Sequence, residues 1–125
     1  MLEIMDTTLR DGEQTSGVSF SSQEKMSIAH LLLVDLGVNR IEIASARVSN
    51  GEFNTVKKIA DWARGAGYID QIEILGFVDN GASLRWIKDA GCKTINLLSK
   101  GSYKHVTEQL KKNISKILNV KSIWL

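Results

Sequence analysis

Short apolar runs alternate with amphipathic stretches along this chain, four times over. Residues 2–6 read as a first short strand, and a polar, glycine-bearing loop follows from 7 to 21. Ser21-Ser22-Gln23-Glu24 has the form of a capping box, in which a serine hydroxyl and a glutamate carboxylate satisfy each other's free backbone amides. Met26, Ile28, Ala29, Leu32, Leu33 and Leu36 then recur at helical spacing, and Gly37 supplies the stop. Residues 38–44 predict a second strand. Ser49-Asn50-Gly51-Glu52 repeats the capping pattern and opens a helix that turns Phe53, Val56, Ile59, Ala60 and Ala63 inward, ending near Gly65 and Gly67. A third strand is expected over 72–75. A third helix starts from Asp79 or Asn80, with Leu84, Ile87 and Ala90 on its buried side and Gly91 as its stop. Residues 94–98 read as a fourth strand, and those from about 103 to 118 as a fourth helix bearing Val106, Leu110, Ile114 and Ile117 on one face. The apolar end, 119–125, is either the start of a fifth strand or an irregular tail.

The units share a phrase. Gly37-Val38-Asn39-Arg40-Ile41-Glu42 and Gly91-Cys92-Lys93-Thr94-Ile95-Asn96 both run from a helix stop through linking residues into a strand, and Gly67 leads more loosely to Ile72-Glu73. Regular β–α alternation implies a parallel sheet with right-handed crossovers. Four such units make either half of an eight-fold βα barrel or a small open sheet, and the pattern alone does not choose.

Composition narrows the class. The 125 residues suffice for one domain with a modest core. Sixteen basic residues face 14 acidic ones, a near-balance that argues against a nucleic-acid or membrane-surface partner. The basic excess gathers after residue 100 (Lys100, Lys104, Lys111, Lys112, Lys116, Lys121), as on a solvated helix face. No apolar run is long enough to span a bilayer, and the start lacks the features of a signal peptide. A single cysteine, Cys92, rules out an internal disulfide framework and suits a reducing cytoplasm. At a helix-to-strand turn it reads as a small buried apolar residue. His30 and His105 lie in helical segments with no ligand partner at metal spacing, and both read as structural or surface residues.

In parallel βα folds the loops after strand C-termini carry the chemistry. The first such loop is the most loaded, with Asp6, Arg10, Asp11, Glu13 and Gln14 close together. A hard divalent cation takes carboxylate oxygens, and a carbonyl or enolate oxygen takes a fixed guanidinium. Adjacent Arg10 and Asp11 can serve both needs, with Gly12 giving freedom to aim them. Composition alone leaves open a surface loop whose charges neutralise one another.

The literal string Asp6-Thr7-Thr8-Leu9-Arg10-Asp11-Gly12-Glu13-Gln14 resembles the signature of the DRE-TIM metallolyase superfamily, which includes isopropylmalate, citramalate and homocitrate synthases. The resemblance extends to about residue 112. The segments 41–49, 74–79 and 96–102 are similar to those of spirochaete-type citramalate synthases and of bacteroidete isopropylmalate synthases. It implies the first half, about four βα units, of a TIM (βα)8 barrel, with residues 1–125 forming part of a catalytic domain. It also implies an acyltransferase that condenses acetyl-CoA with a 2-oxo acid, pyruvate or 2-oxoisovalerate, in leucine or isoleucine biosynthesis. Under it Arg10 binds the oxo-acid carbonyl and stabilises the acetyl-CoA enolate, and Asp11 is a ligand of a divalent metal (Mg, Mn or Zn). Gln14 and Glu42 line the same mouth. Leu75 and Leu98, at the ends of the third and fourth strands, contact the oxo-acid side chain; plain core packing is the alternative for both. Lys100-Gly101-Ser102 either sits near an anionic ligand or turns the chain into a helix.

The superfamily's His-x-His metal ligands, its acid/base residues and its acetyl-CoA site have no counterpart in this sequence. The expectation is therefore a piece of a longer enzyme, inactive by itself and associating as a homodimer or through its open sheet edges. A hydroxymethylglutaryl-CoA lyase-like C–C lyase and a non-catalytic half barrel are the alternatives, as is a module that binds a metal or oxo acid without turning it over.

Overall fold

A computed structural model describes residues 1–99, 102 and 104–109. Four strands, β1 (Met5–Asp6), β2 (Arg40–Ser45), β3 (Ile72–Phe77) and β4 (Thr94–Leu98), lie side by side in the order of the chain, all parallel. Helices α1 (Ser22–His30), α2 (Asn50–Ala66) and α3 (Ala82–Asp89) make the crossovers. This is the first half of a TIM barrel, so the choice left open between half barrel and open sheet falls to the barrel. Among the described residues no helix is long and apolar enough to cross a membrane.

The helices begin and end where their local chemistry dictates. At α1 the Ser21 hydroxyl accepts from the Glu24 amide at 3.2 Å, and the Glu24 carboxylate accepts from the Ser21 amide at 2.7 Å, closing the box. The Ser21 amide, and after it the Ser21 hydroxyl, hold the Glu24 carboxyl below the usual glutamate range. The predicted box at α2 closes only halfway. The Ser49 hydroxyl accepts from the Glu52 amide at 3.0 Å, but the Glu52 carboxylate turns to Lys25 instead. Helix α2 stops where Gly67 takes a left-handed φ of 86°, a conformation that strains any side chain with a Cβ.

The strands shift by a few residues from the predicted 2–6, 38–44 and 72–75, and two helix boundaries differ more. The chain leaves α1 through a wider π turn, Leu31–Asp35, which displaces the following residues around the helix axis. Leu36, predicted inward, is exposed, whereas Ala29, Leu32 and Leu33 are buried as expected. Helix α3 begins at Ala82 rather than at Asp79 or Asn80. The Asp79 carboxylate still reaches it, accepting from the Ser83 amide at 2.9 Å and the Ser83 hydroxyl at 2.7 Å. Of the predicted fourth helix, a turn over His105–Gln109 is described, with the His105 amide donating to the Ser102 hydroxyl at 3.2 Å. That contact accords with the helix-turn alternative for Ser102. Lys100, the rest of that helix and the tail lie outside the described residues.

The sheet separates two environments. Ile41, Ile43, Ile72 and Ile74 are fully buried against the helices, with Val56, Ile59, Ala60 and Ile87 behind them. Alternation along each strand turns the intervening residues to the opposite face. There Glu42 and Glu73 are paired in register, Thr94 and Asn96 follow on β4, and Leu75 stands among them opposite Asn96. Gly76 keeps the helix side close, since a Cβ there would fall 2.5 Å from Ile95 Cδ1 and 3.3 Å from Ile87 Cδ1.

Candidate active site

The loop after β1 is built around backbone acceptors. The Thr7 carbonyl accepts from the amides of Arg10, Asp11 and Gly12 at 3.1, 2.8 and 3.2 Å, and the Thr8 carbonyl accepts from Glu13 at 3.1 Å. The Asp6 carboxylate accepts from the Thr8 amide and hydroxyl, so its oxygens serve the turn. Leu9 is 1% exposed and anchors the turn in the core. Arg10 emerges from this frame with its side chain 20% exposed.

Glu42, 0% exposed on β2, sets the direction of that side chain. One of its oxygens accepts from Arg10 Nε and the other from Asn96 Nδ2 at 2.8 Å. Arg10 Nη1 donates to Asp11 Oδ1 at 3.0 Å. Both carboxylate oxygens of Glu42 are thus satisfied, the condition under which a buried charge is tolerated. Among the described residues Arg10 Nη2 has no acceptor. The register of β2 against β3 shifts between Glu42 and Ala44, and such irregularities re-aim side chains next to functional loops.

Arg10 touches both Asp11 and Glu42, and with Gln14 it lines a cleft of about 220 Å³ whose walls include neither of those two carboxylates. Glu13, Ser45, Val48 and Glu52 also line that cleft. Leu75 and Leu98 are not among its walls. Leu75 is 8% exposed and stands in register with Asn96, and Leu98 is 46% exposed, opposite Phe77 at the end of the sheet. A larger depression of about 360 Å³, walled by Gln23, Met26, His30 and Trp62, lies on the outer helix side, away from these loops.

Asn96 was missed from sequence, yet the signal was present: it occupies in its repeat the position that Glu42 occupies in its own. Lys25 was missed because a lysine on a helix reads as solvent-facing. Arg47 and Asp79 were missed as a pair because 32 residues separate them; Arg47 Nη1 meets Asp79 Oδ2 at 2.9 Å. Arg47 holds a left-handed φ of 66°, rare for a residue with a side chain.

Burial works against ionisation of Asp79, but the Ser83 amide and hydroxyl and the Arg47 guanidinium outweigh it, and the carboxyl sits below the usual aspartate range. A lowered folded-state pKa adds stability that is complete above the unfolded value and disappears as pH falls through the folded one. Asp79→Ala is expected to lower stability by about 1 kcal/mol at neutral pH, as for loss of a helix cap. Thermal midpoints across acid pH should show the difference closing as Asp79 protonates. Beside Glu42, on the neighbouring strand, the buried Glu73 is held by Arg40 Nη1 at 2.9 Å. Burial pushes the Cys92 thiol up to about 11, with Arg64 opposing and Asp61 reinforcing, which leaves it an inert apolar side chain at neutral pH.

Asp11 does not make a divalent site by itself. Its side chain is 65% exposed and one of its oxygens is engaged by Arg10. Among the described residues no group of three or more His, Cys, Asp or Glu side chains could hold an ion. A divalent site fits here only as one carboxylate contributed to a set completed by other residues.

Parallel βα units with a charged constellation on the loop after the first strand define a barrel-type α/β domain. The chain belongs to the HMGL-like family, whose model matches residues 1–122. It is 34% identical over 119 residues to a 2-isopropylmalate synthase of Saccharolobus solfataricus, covering 94% of this chain and 29% of that protein. A putative (R)-citramalate synthase of Methanoculleus marisnigri is 38% identical over 112 residues, 89% of this chain and 21% of its own. The 2-isopropylmalate synthase 1 of Caldanaerobacter subterraneus is 53% identical over 62 residues, 50% of this chain and 15% of its own. The chain thus spans less than a third of the length of these relatives.

Proposed function

We propose that these residues form the 2-oxo-acid-binding part of an enzyme that condenses acetyl-CoA with a 2-oxo acid to a 2-alkylmalate, releasing CoA. The observation that carries this reading is Arg10: a buried carboxylate fixes its guanidinium while Nη2 has no acceptor among the described residues, beside Gln14 and the exposed Asp11. A guanidinium fixed in advance stabilises a carbonyl oxygen as negative charge develops on it, without reorganisation at that moment. Glu42 and Asn96 act on the reaction only through Arg10. Asp11 offers an oxygen to a divalent metal held jointly with residues outside this set, and Leu75 and Leu98 are the strand-end residues that would meet the oxo-acid side chain. Pyruvate and 2-oxoisovalerate are the two substrate candidates, as the synthase names of the relatives suggest. Those names favour condensation over the lyase direction.

Since no group of side chains among the described residues could hold an ion without further ligands, residues 1–125 alone are not expected to turn over. The test is CoA release by the complete protein, followed with a thiol reagent in the presence of acetyl-CoA and either oxo acid. Release that requires one of the two acids is expected. No release above background with both would remove the reading.

A further inference from the structure

The largest of the fully buried side chains among the described residues is charged. Lys25, on α1, is 2% exposed. Its ammonium lies 2.5 Å from Glu13 Oε2 and 2.6 Å from Glu52 Oε1. Removing an ammonium from water costs several kcal/mol, so this position works against the fold unless both carboxylates are held close. The helix does not ask for it either, since a cation in the first turns of a helix opposes the dipole. Glu52 forgoes the second half of its own capping box to reach Lys25.

The three partners come from three segments. Glu13 belongs to the loop after β1 and lies in the short turn Gly12–Gln14, directly after Asp11. Its second oxygen accepts from the Phe20 amide at 3.1 Å, which ties the far end of the same loop to its start. Lys25 links that loop to α1, and Glu52 links both to the first turn of α2. Glu13 and Glu52 also form walls of the cleft that Arg10 and Gln14 share. An apolar residue at position 25 would fill the same volume without desolvating a charge, but it would fix neither carboxylate in direction.

We propose that Lys25 is a positioning residue for the oxo-acid site: through Glu13 it holds the Arg10–Gln14 segment against α2, so that Arg10 and Gln14 meet the ligand in a fixed geometry. The assignment of a ligand to Arg10 and Gln14 rests on the function proposed above; the clamp on the loop does not.

The test is the double variant Lys25→Met with Glu52→Gln, which removes one cation and one anion together. Glu13, 27% exposed, keeps the Phe20 amide and access to water. Amide hydrogen exchange on the chain is read at Arg10, Asp11, Gly12 and Glu13, whose amides all donate within the loop, and at β3 as reference. Exchange in the loop is expected to accelerate at least tenfold while β3 stays within about twofold of the parent, a local opening rather than a global one. Glu52→Gln alone, which retains the ammonium and its bond to Glu13, is expected to leave the loop near the parent value. An unchanged loop in the double variant would overturn the proposal, and so would acceleration of loop and β3 together, including outright failure to fold. In the complete protein the same double variant should raise KM for the oxo acid about tenfold and leave KM for acetyl-CoA unchanged. If the complete protein releases no CoA, the functional reading fails while the exchange result still decides the clamp.

Discussion

Alanine at Glu42 is expected to destabilise this chain by about 3–5 kcal/mol, the cost of leaving one partner of a buried ion pair uncompensated. The loss falls on two donors at once, because Arg10 Nε and Asn96 Nδ2 each use a different oxygen of that carboxylate. Domains of this size are held by only about 5–15 kcal/mol, so a large fraction of the variant should be unfolded at 37 °C. Glutamine at the same position is the informative comparison. Its amide has one accepting and one donating end, so either Arg10 or Asn96 must face an NH₂ group. A loss of about 1–3 kcal/mol is expected from that single unsatisfied donor. Urea midpoints of the two variants should fall in that order. A parent-like midpoint for Glu42→Ala would show that the pair is not what holds β1, β2 and β4 together at the mouth.

The second large effect concerns Arg10. In the complete protein Arg10→Ala is expected to lower kcat for condensation by about 10²–10³-fold, the usual loss when a fixed oxyanion donor is removed. Arg10→Lys should recover little. An ammonium is a point charge without the planar fork that lets Nε bind Glu42 while Nη1 binds Asp11. Steady-state CoA release, with folding checked by circular dichroism, separates this from the cost of leaving Glu42 unpaired. A variant that folds and keeps the parental kcat would withdraw Arg10 from the chemistry.

Much of the architecture was legible because its periods are clean. Strand β4 begins and ends where the Thr94–Leu98 run predicts, and Gly67 ends α2 because only a left-handed residue satisfies the last carbonyls. Arg10 and Asp11 stood out as charges on the loop after the first strand, whereas Glu42 entered only through the family resemblance. What escaped was written in partners rather than in periods. Lys25 stands on the same helix face as Ala29 and Leu32, but its burial depends on Glu13 and Glu52 from two other segments. The second capping box matched in composition and was only half used, because Lys25 competes for the Glu52 carboxylate. Leu36 was placed inward by a period of 3.6 that the π turn breaks. Asn96 looked like one polar residue in a strand until β4 was set beside the Glu42 face.

The order of the strands has a consequence for how the mouth comes into being during synthesis. Each strand pairs with the one made just before it, so the sheet can grow in step with the ribosome, without waiting for a distant segment to return. The contact between Arg10 and Glu42 spans 32 residues and is available once β2 has emerged. The contact from Asn96 to Glu42 spans 54 and comes with the last strand of the four. In the nascent chain the guanidinium is aimed first, and the carboxylate that aims it is secured afterwards.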